Sequence, residues 1–235
     1  MNRIKTTNTN YCINMDIKLE ITEDGSHTIF VPTLNEHYHS TKGAIQEAKH
    51  IFIDSALNQC PKSNIKILEV GFGTGLNAFI TMLEAEKNNQ QIEYSTLEFY
   101  PIPLSSIKRI NYPSLIDETK RELYYKLHTA KWDNNIQITS HFSIFKKLID
   151  FSNPDNLITD EKYDIVYFDA FGPDKQPEMW QPPIFQKIYS MMNEGGILTT
   201  YSAKGVIRRT MQSIGFKVER IPGPPGKREI LRATK

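Results

Sequence analysis

The feature that most restricts this chain is a short apolar run that breaks into glycines and then becomes a helix. IKILEV (65–70) has the length and composition of a buried strand. GFGTG follows at 71–75, and LNAFITMLEAE (76–86) has helical spacing. Gly71, Gly73 and Gly75 let the backbone turn tightly and approach a ligand closely. The helix behind them presents N–H groups that no carbonyl of its own satisfies.

The same grammar repeats. IEYSTLEF (92–99) reads as the second strand, followed by the helical stretch ETKRELYYKL. NIQITS (135–140) reads as a weak third strand and FKKLID as a short helix. YDIVYFDAF (163–171) is a strongly apolar strand ending in a carboxylate. PPIFQKIYSMM is a helix opened by prolines, GGILTTYS (195–202) a strand, and GVIRRTMQSIG (205–215) a helix ended by glycine. FKVERI and REILRA close the chain as two strands joined by PGPPG. Upstream, DIKLEITEDGSHTIFVP predicts a hairpin around Asp24-Gly25. TKGAIQEAKHIFIDSAL predicts a helix with Ala44, Ala48, Ile51 and Ala56 on or near one face.

Strands alternating with helices imply a mostly parallel sheet covered on both faces. Two closing strands without a helix between them imply an antiparallel end. This is the layout of the α/β, Rossmann-like class I S-adenosylmethionine-dependent methyltransferases. It predicts a seven-stranded, mostly parallel sheet over 61–235, with a small hairpin-and-helix appendage over 1–60. Hydrophobic residues make up 39% and charged residues 23% of the 235, which excludes wholesale disorder. No apolar stretch approaches the roughly 18–20 residues of a membrane span. The polar start has no apolar block of a secretory signal. Two cysteines, Cys12 and Cys60, make neither a disulfide framework nor a cysteine zinc site, so a reducing cytoplasm is expected. His37 and His39 are the only close histidines, and no metal site is expected.

Ligands in such sheets bind beyond the carboxyl ends of the strands, so three strand ends carry the chemistry. The glycine turn is spaced G-x-G-x-G. A dinucleotide fingerprint is G-x-G-x-x-G and offers its N–H groups to a pyrophosphate; the shorter spacing suits the methionine part of S-adenosylmethionine. Glu98 ends the second strand, where a carboxylate accepts ribose hydroxyls. Asp169, followed by Ala170-Phe171-Gly172-Pro173, emerges from the sheet centre. It resembles the acidic D/N-P-P-Y loops of amino-methyltransferases, whose oxygens orient a target amine; a helix-capping role is the alternative. Residues 201–235 hold nine Lys/Arg and two Glu, so that end is +7 and the rest of the chain −6. A basic end fits a phosphate-bearing partner, or a solvated surface.

LEVGFGTGLN (68–77), DAFGPDKQPEMW (169–180), GGILTTYSAKGVIRR (195–209) and GKREIL (226–231) together resemble the methyltransferase domains of the MnmC family of tRNA wobble-uridine modification proteins. YHSTKGAIQEAKHIF (38–52) resembles the segment before that family's catalytic core. The family's Gly-Phe-Gly-Arg ahead of the Lys-Arg-Glu signature is replaced here by Gly223-Pro224-Pro225-Gly226. Ser140-His141-Phe142 stands where many methyltransferases place an acid near adenine.

The resemblance implies N-methylation of 5-aminomethyl-2-thiouridine at the tRNA wobble position, with S-adenosylmethionine as cofactor and the anticodon stem-loop as partner. It implies a cofactor site of Glu69, Gly71, Gly73, Thr74, Gly75, Asn77, Glu98, Asp169, Ala170 and Phe171. Asp169 carries the catalysis by orienting the amine. Pro173, Trp180, Tyr201, Arg208, Arg209, Lys227 and Arg228 face the substrate. Trp180 stacks on the uridine or packs in the core; the four basic residues meet phosphates or pair within the chain. Without a flavin fingerprint, a stand-alone methyltransferase is expected, with a separate enzyme supplying the aminomethyl group. A methyltransferase for a small-molecule or protein amine, and a non-catalytic RNA-binding module, stay open as other readings.

Overall fold

The structure, a computed structural model, describes residues 17–235. The polar start and Cys12 lie outside the described residues. β1 (Lys18–Ile21) and β2 (His27–Val31) form the expected hairpin, with β3 (Glu36–His37) added antiparallel to β2. Gly25 sits at the turn with φ 83°. Asp24 steadies it by accepting from the Ser26 N–H at 3.0 Å. α1 (Ala44–Ala48) continues as a wider π-helical turn, Lys49–Asp54. Ala44, Ala48, Ile51 and Ala56 are all buried, as their spacing implied.

The main sheet is built from β4 (Asn64–Val70), β5 (Gln91–Glu98), β6 (Asn135–Gln137), β7 (Phe142–Leu148), β8 (Tyr163–Phe168), β9 (Met192–Thr200), β10 (Lys217–Pro222) and β11 (Glu229–Thr234). Their spatial order is β10-β11-β9-β8-β4-β5-β7-β6. β9, β8, β4, β5 and β7 run parallel, and β11 is antiparallel to both β9 and β10. Every residue of β8 is buried, which fits its apolar sequence.

Alternate strand residues feed two cores. Ile65, Ile67, Ile165 and Tyr167 pack with α2 (Leu76–Asn88) and the N-terminal segment. The same core takes in Ile107 of α3 (Leu104–Ile107), Tyr112 of α4 (Tyr112–Ile116) and Tyr124 and Leu127 of α5 (Arg121–Thr129). Leu68, Val70, Val166 and Phe168 pack with α6 (Pro182–Met191) and α7 (Gly205–Ile214).

Two expectations are corrected. The sheet has eight strands, not seven. The third parallel strand is β7, which absorbs the stretch read as a helix, while 135–137 is a short antiparallel edge strand. Phe142, Ile144 and Lys146 point into the core at 0%, 0% and 1% exposure, so the alternation includes a lysine. Its Nζ donates to the His128 carbonyl at 2.6 Å and lies 4.6 Å from the Trp132 ring centre. Two adjacent lysines disguised the period-2 pattern.

Candidate active site

The chain order reverses direction beside β4, between β5 on one side and β8 on the other, and a cleft of about 1020 Å³ opens there above the strand ends. Its floor is the glycine turn. Gly71 (φ 96°) passes so close to β8 that a Cβ would lie 2.7 Å from the Asp169 carbonyl oxygen. Thr74 locks the turn from behind: its carbonyl accepts from the Tyr124 hydroxyl at 2.8 Å and meets His128 Nε2 at 3.1 Å, and its hydroxyl meets His39 Nε2 at 2.7 Å. Burial lowers the His39 imidazole to about 4 and that of His128 to about 3, so both stay neutral.

Glu98 is aimed by the backbone. One carboxylate oxygen accepts from the Gly73 N–H at 2.9 Å; the other accepts from Phe99 and Tyr100 at 2.8 and 2.7 Å. The glycine turn and the strand-end carboxylate are thereby one rigid unit in the cleft. Asp150, just past β7, lines the cleft with Ile149 and Phe151. The true third strand is thus followed by an acid, unlike Ser140-His141-Phe142.

Asp169 leaves β8 with its N–H on the Val70 carbonyl at 3.0 Å and Oδ2 accepting from Asn77 Nδ2 at 2.8 Å. Burial pushes its carboxyl up to about 7; the Glu47 charge adds to this, while Asn77 and Lys227 oppose it. Asn77 also donates to Glu69 at 3.1 Å, and Thr96 donates to Glu69 at 2.9 Å. Glu69 is fully buried, and burial together with Asp169 holds it well above the usual carboxylate range.

Gly71, Gly73, Thr74, Asn77, Glu98, Asp169, Ala170, Phe171, Pro173, Tyr201, Lys227 and Arg228 are brought together around the cleft. Glu69 and Gly75 are not: Glu69 lies beneath the turn, and Gly75 caps α2 against His128. Trp180 is also corrected. It is 3% exposed, donates to the Phe171 carbonyl at 2.7 Å and packs edge-on against Phe168, so no ring face is free for a base. It holds up the loop that follows β8 instead. Arg208 and Arg209 lie on α7, off the cleft lining. Lys227 pairs with Glu47 at 3.3 Å, and Glu229 pairs with Arg220 rather than with the residues before it.

Reading the sequence missed Tyr38, His39, Glu47 and Asp150. Tyr38 packs edge-on to Phe171 with ring centres 5.0 Å apart, and it would lie 2.9 Å from a Cβ on Gly73. The block 38–52 was visible as a segment, but nothing in it marks which side chains turn toward the glycines.

A family of S-adenosyl-L-methionine-dependent methyltransferases matches residues 119–235. Among curated proteins, the bifunctional protein MnmC of Hydrogenovibrio crunogenus, named for tRNA 5-methylaminomethyl-2-thiouridine biosynthesis, is 30% identical over 224 residues, covering 85% of this chain and 32% of its own length. The Leptospira interrogans protein of the same name is 32% identical, covering 83% of this chain and 32% of its own length. The crystal structure of MNMC2 from Aquifex aeolicus superposes with a TM-score of 0.77 at 26% identity, covering 94% of this chain and 71% of that one. The chain is similar to MnmC proteins over most of its length. Its cofactor is S-adenosylmethionine. It spans about a third of the length of the curated relatives it matches. A spermidine synthase superposes at TM-score 0.54 and 11% identity and shares the fold alone.

The cleft of the MnmC-like domain fits that cofactor. A turn with glycines at 71 and 73, a backbone-held carboxylate at the second strand end and an acid at the third face one volume. No helix among the described residues is long and apolar enough to cross a membrane.

Proposed function

We propose that the domain methylates the primary amine of 5-aminomethyl-2-thiouridine at the tRNA wobble position. The observation that carries this reading is Asp169, a half-buried carboxyl held by Asn77 at the mouth of the glycine turn. Gly71 and Gly73 hold the methionine part of the cofactor, Glu98 the ribose and Asp150 the adenine side. Bound there, S-adenosylmethionine supplies an electrophilic methyl group for in-line displacement.

The chain's own residues then have two tasks. Alignment of nitrogen, carbon and sulfur is worth several kcal/mol, up to about 7–11 in ideal cases. The amine must also lose a proton. An alkylammonium titrates near 10.4 and an ordinary Asp near 3.9, which makes an ordinary Asp a poor acceptor. Raised to about 7, Asp169 is closer to the amine by about three units, or roughly 4 kcal/mol. It therefore both orients the amine and takes its proton.

The basic C-terminal part contacts tRNA phosphates, with Arg228 at the cleft rim and Arg208 and Arg209 on α7 outside it. The aminomethyl group is made by a preceding reaction, and the methyl transfer takes place in the cytoplasm. The direct test is methyl transfer to tRNA from cells lacking this modification step. Transfer to the aminomethyl nucleoside, and none to fully modified tRNA, is the expected result. Its tRNA affinity falls steeply as salt rises, and Arg208→Ala with Arg209→Ala reduces the log–log slope by about 1–2. A flat salt dependence counts against phosphate contact.

A further inference from the structure

One corner of the cleft holds chemistry that the mechanism above does not use. Glu47, on α1, is 8% exposed and shares the cleft wall with Asp169 and Tyr201. Its Oε2 accepts from the Ser40 N–H at 2.7 Å. Its Oε1 faces the Lys227 ammonium at 3.3 Å, and that ammonium lies 4.8 Å from the centre of the Tyr201 ring. Tyr201 is fixed in turn, its hydroxyl donating to the Ala170 carbonyl at 2.9 Å.

A primary ammonium thus sits between a buried carboxylate and an aromatic face, on the same cleft wall as Asp169. That combination is how proteins hold alkylammonium groups. A second observation lies beside Asp169 in the same cleft. Asn77 is 3% exposed and lines the cleft, and its Oδ1 is buried without a partner. Both its N–H groups are committed to the carboxylates of Glu69 and Asp169, so its carbonyl oxygen is left without a donor.

We propose that Glu47, Tyr201 and Asp169 form the seat for the substrate's aminomethyl group as an ammonium, and that Lys227 fills this seat until the substrate displaces it. The inference rests on the amine-acceptor reading given above. Lysine ends in –CH2–NH3+, the same terminus as a protonated aminomethyl group, so the exchange is cation for cation. Glu47 is never left buried without a counter-charge, which would be costly. A neutral substituent of the same size cannot make this exchange. Glu47 is therefore a specificity residue: it selects a charged amine before Asp169 removes the proton.

The test compares two anticodon stem-loops, one with 5-aminomethyluridine and one with neutral 5-hydroxymethyluridine at the wobble position. Binding is measured by fluorescence anisotropy with S-adenosylhomocysteine present, so that nothing turns over. The wild-type protein prefers the aminomethyl loop by about tenfold or more, the scale of one desolvated charge pair. Glu47→Gln keeps an acceptor for Ser40 and loses most of that preference. Lys227→Met raises it, because the resident cation is gone, even if both loops bind more weakly through a lost phosphate contact. If the wild type shows no preference, the amine-acceptor reading itself fails. If it shows the preference and Glu47→Gln retains it, that reading stands and the role of Glu47 is overturned. An unfolded variant is recognised by its losing the hydroxymethyl loop as well, and Glu47→Asp, which keeps the charge, then decides by retaining or losing the preference.

Discussion

Replacing Asp169 with Asn lowers methyl transfer by roughly 10²–10⁴-fold, the range of a lost general base, and leaves S-adenosylmethionine binding nearly unchanged. Asn keeps an oxygen for the Asn77 donor but cannot take a proton. In the wild type, transfer falls on the acid side with a midpoint near 7, where the Asp169 carboxyl becomes protonated. The same substitution has a stability signature of definite sign. The carboxyl titrates near 3.9 in the unfolded chain and at about 7 in the fold. As pH rises through that window, the unfolded chain releases a proton that the folded one retains, so the wild type loses stability until pH 7. The Asp169→Asn variant has no such loss. Its thermal midpoint should therefore exceed the wild type by several degrees at pH 8 and match it near pH 4. Normal turnover by the variant would remove Asp169 from the chemistry; equal melting at pH 8 would show that the carboxyl is not held high.

The second large effect is expected at Gly71. Gly71→Ala forces a side chain onto a backbone at φ 96° and drives its Cβ to 2.7 Å from the Asp169 carbonyl. Strain at such a φ costs about 1–3 kcal/mol, and the contact is with backbone, which cannot swing aside. The collision joins the two functional loops, so it should lower cofactor affinity by at least about tenfold, an equilibrium change of some 1.4 kcal/mol, and abolish transfer. Gly195→Ala is the control. It also sits at positive φ, 75°, but has nothing within 4 Å of a Cβ and lies in β9 away from the cleft. Calorimetry with S-adenosylmethionine should show normal binding by Gly195→Ala and weak binding by Gly71→Ala. Equal affinities would mean that the turn tolerates displacement and does not cradle the cofactor.

Much of this was legible from residue order. The run of β-branched and aromatic residues at 163–168 could be buried only in a central strand, and its carboxylate then had to emerge at the sheet's ligand edge. Glu98 followed from the same logic one strand away. The errors have local causes. Lys146 is a charged residue at a core position, tolerated because a carbonyl and aromatic faces surround its ammonium. Its presence turned a strand pattern into an apparent helix, and with the strand went Asp150. Trp180 stayed open between stacking and packing because a large aromatic near this loop reads alike whether it points outward or inward; its N–H to Phe171 settles the direction.

The sequence by itself determined the alternating strand–helix order, the glycine turn and the two strand-end acids, because periodicity and glycine placement act over a few neighbouring residues. Only the tertiary structure decided which distant side chains share the cleft. Glu47 meets Lys227 across 180 positions, and His39 meets Thr74 across 35. The raised proton affinity of Asp169 belongs to the same class. It comes from burial among groups carried by α1, α2 and the β10–β11 link, and desolvation exists only once those elements have packed together.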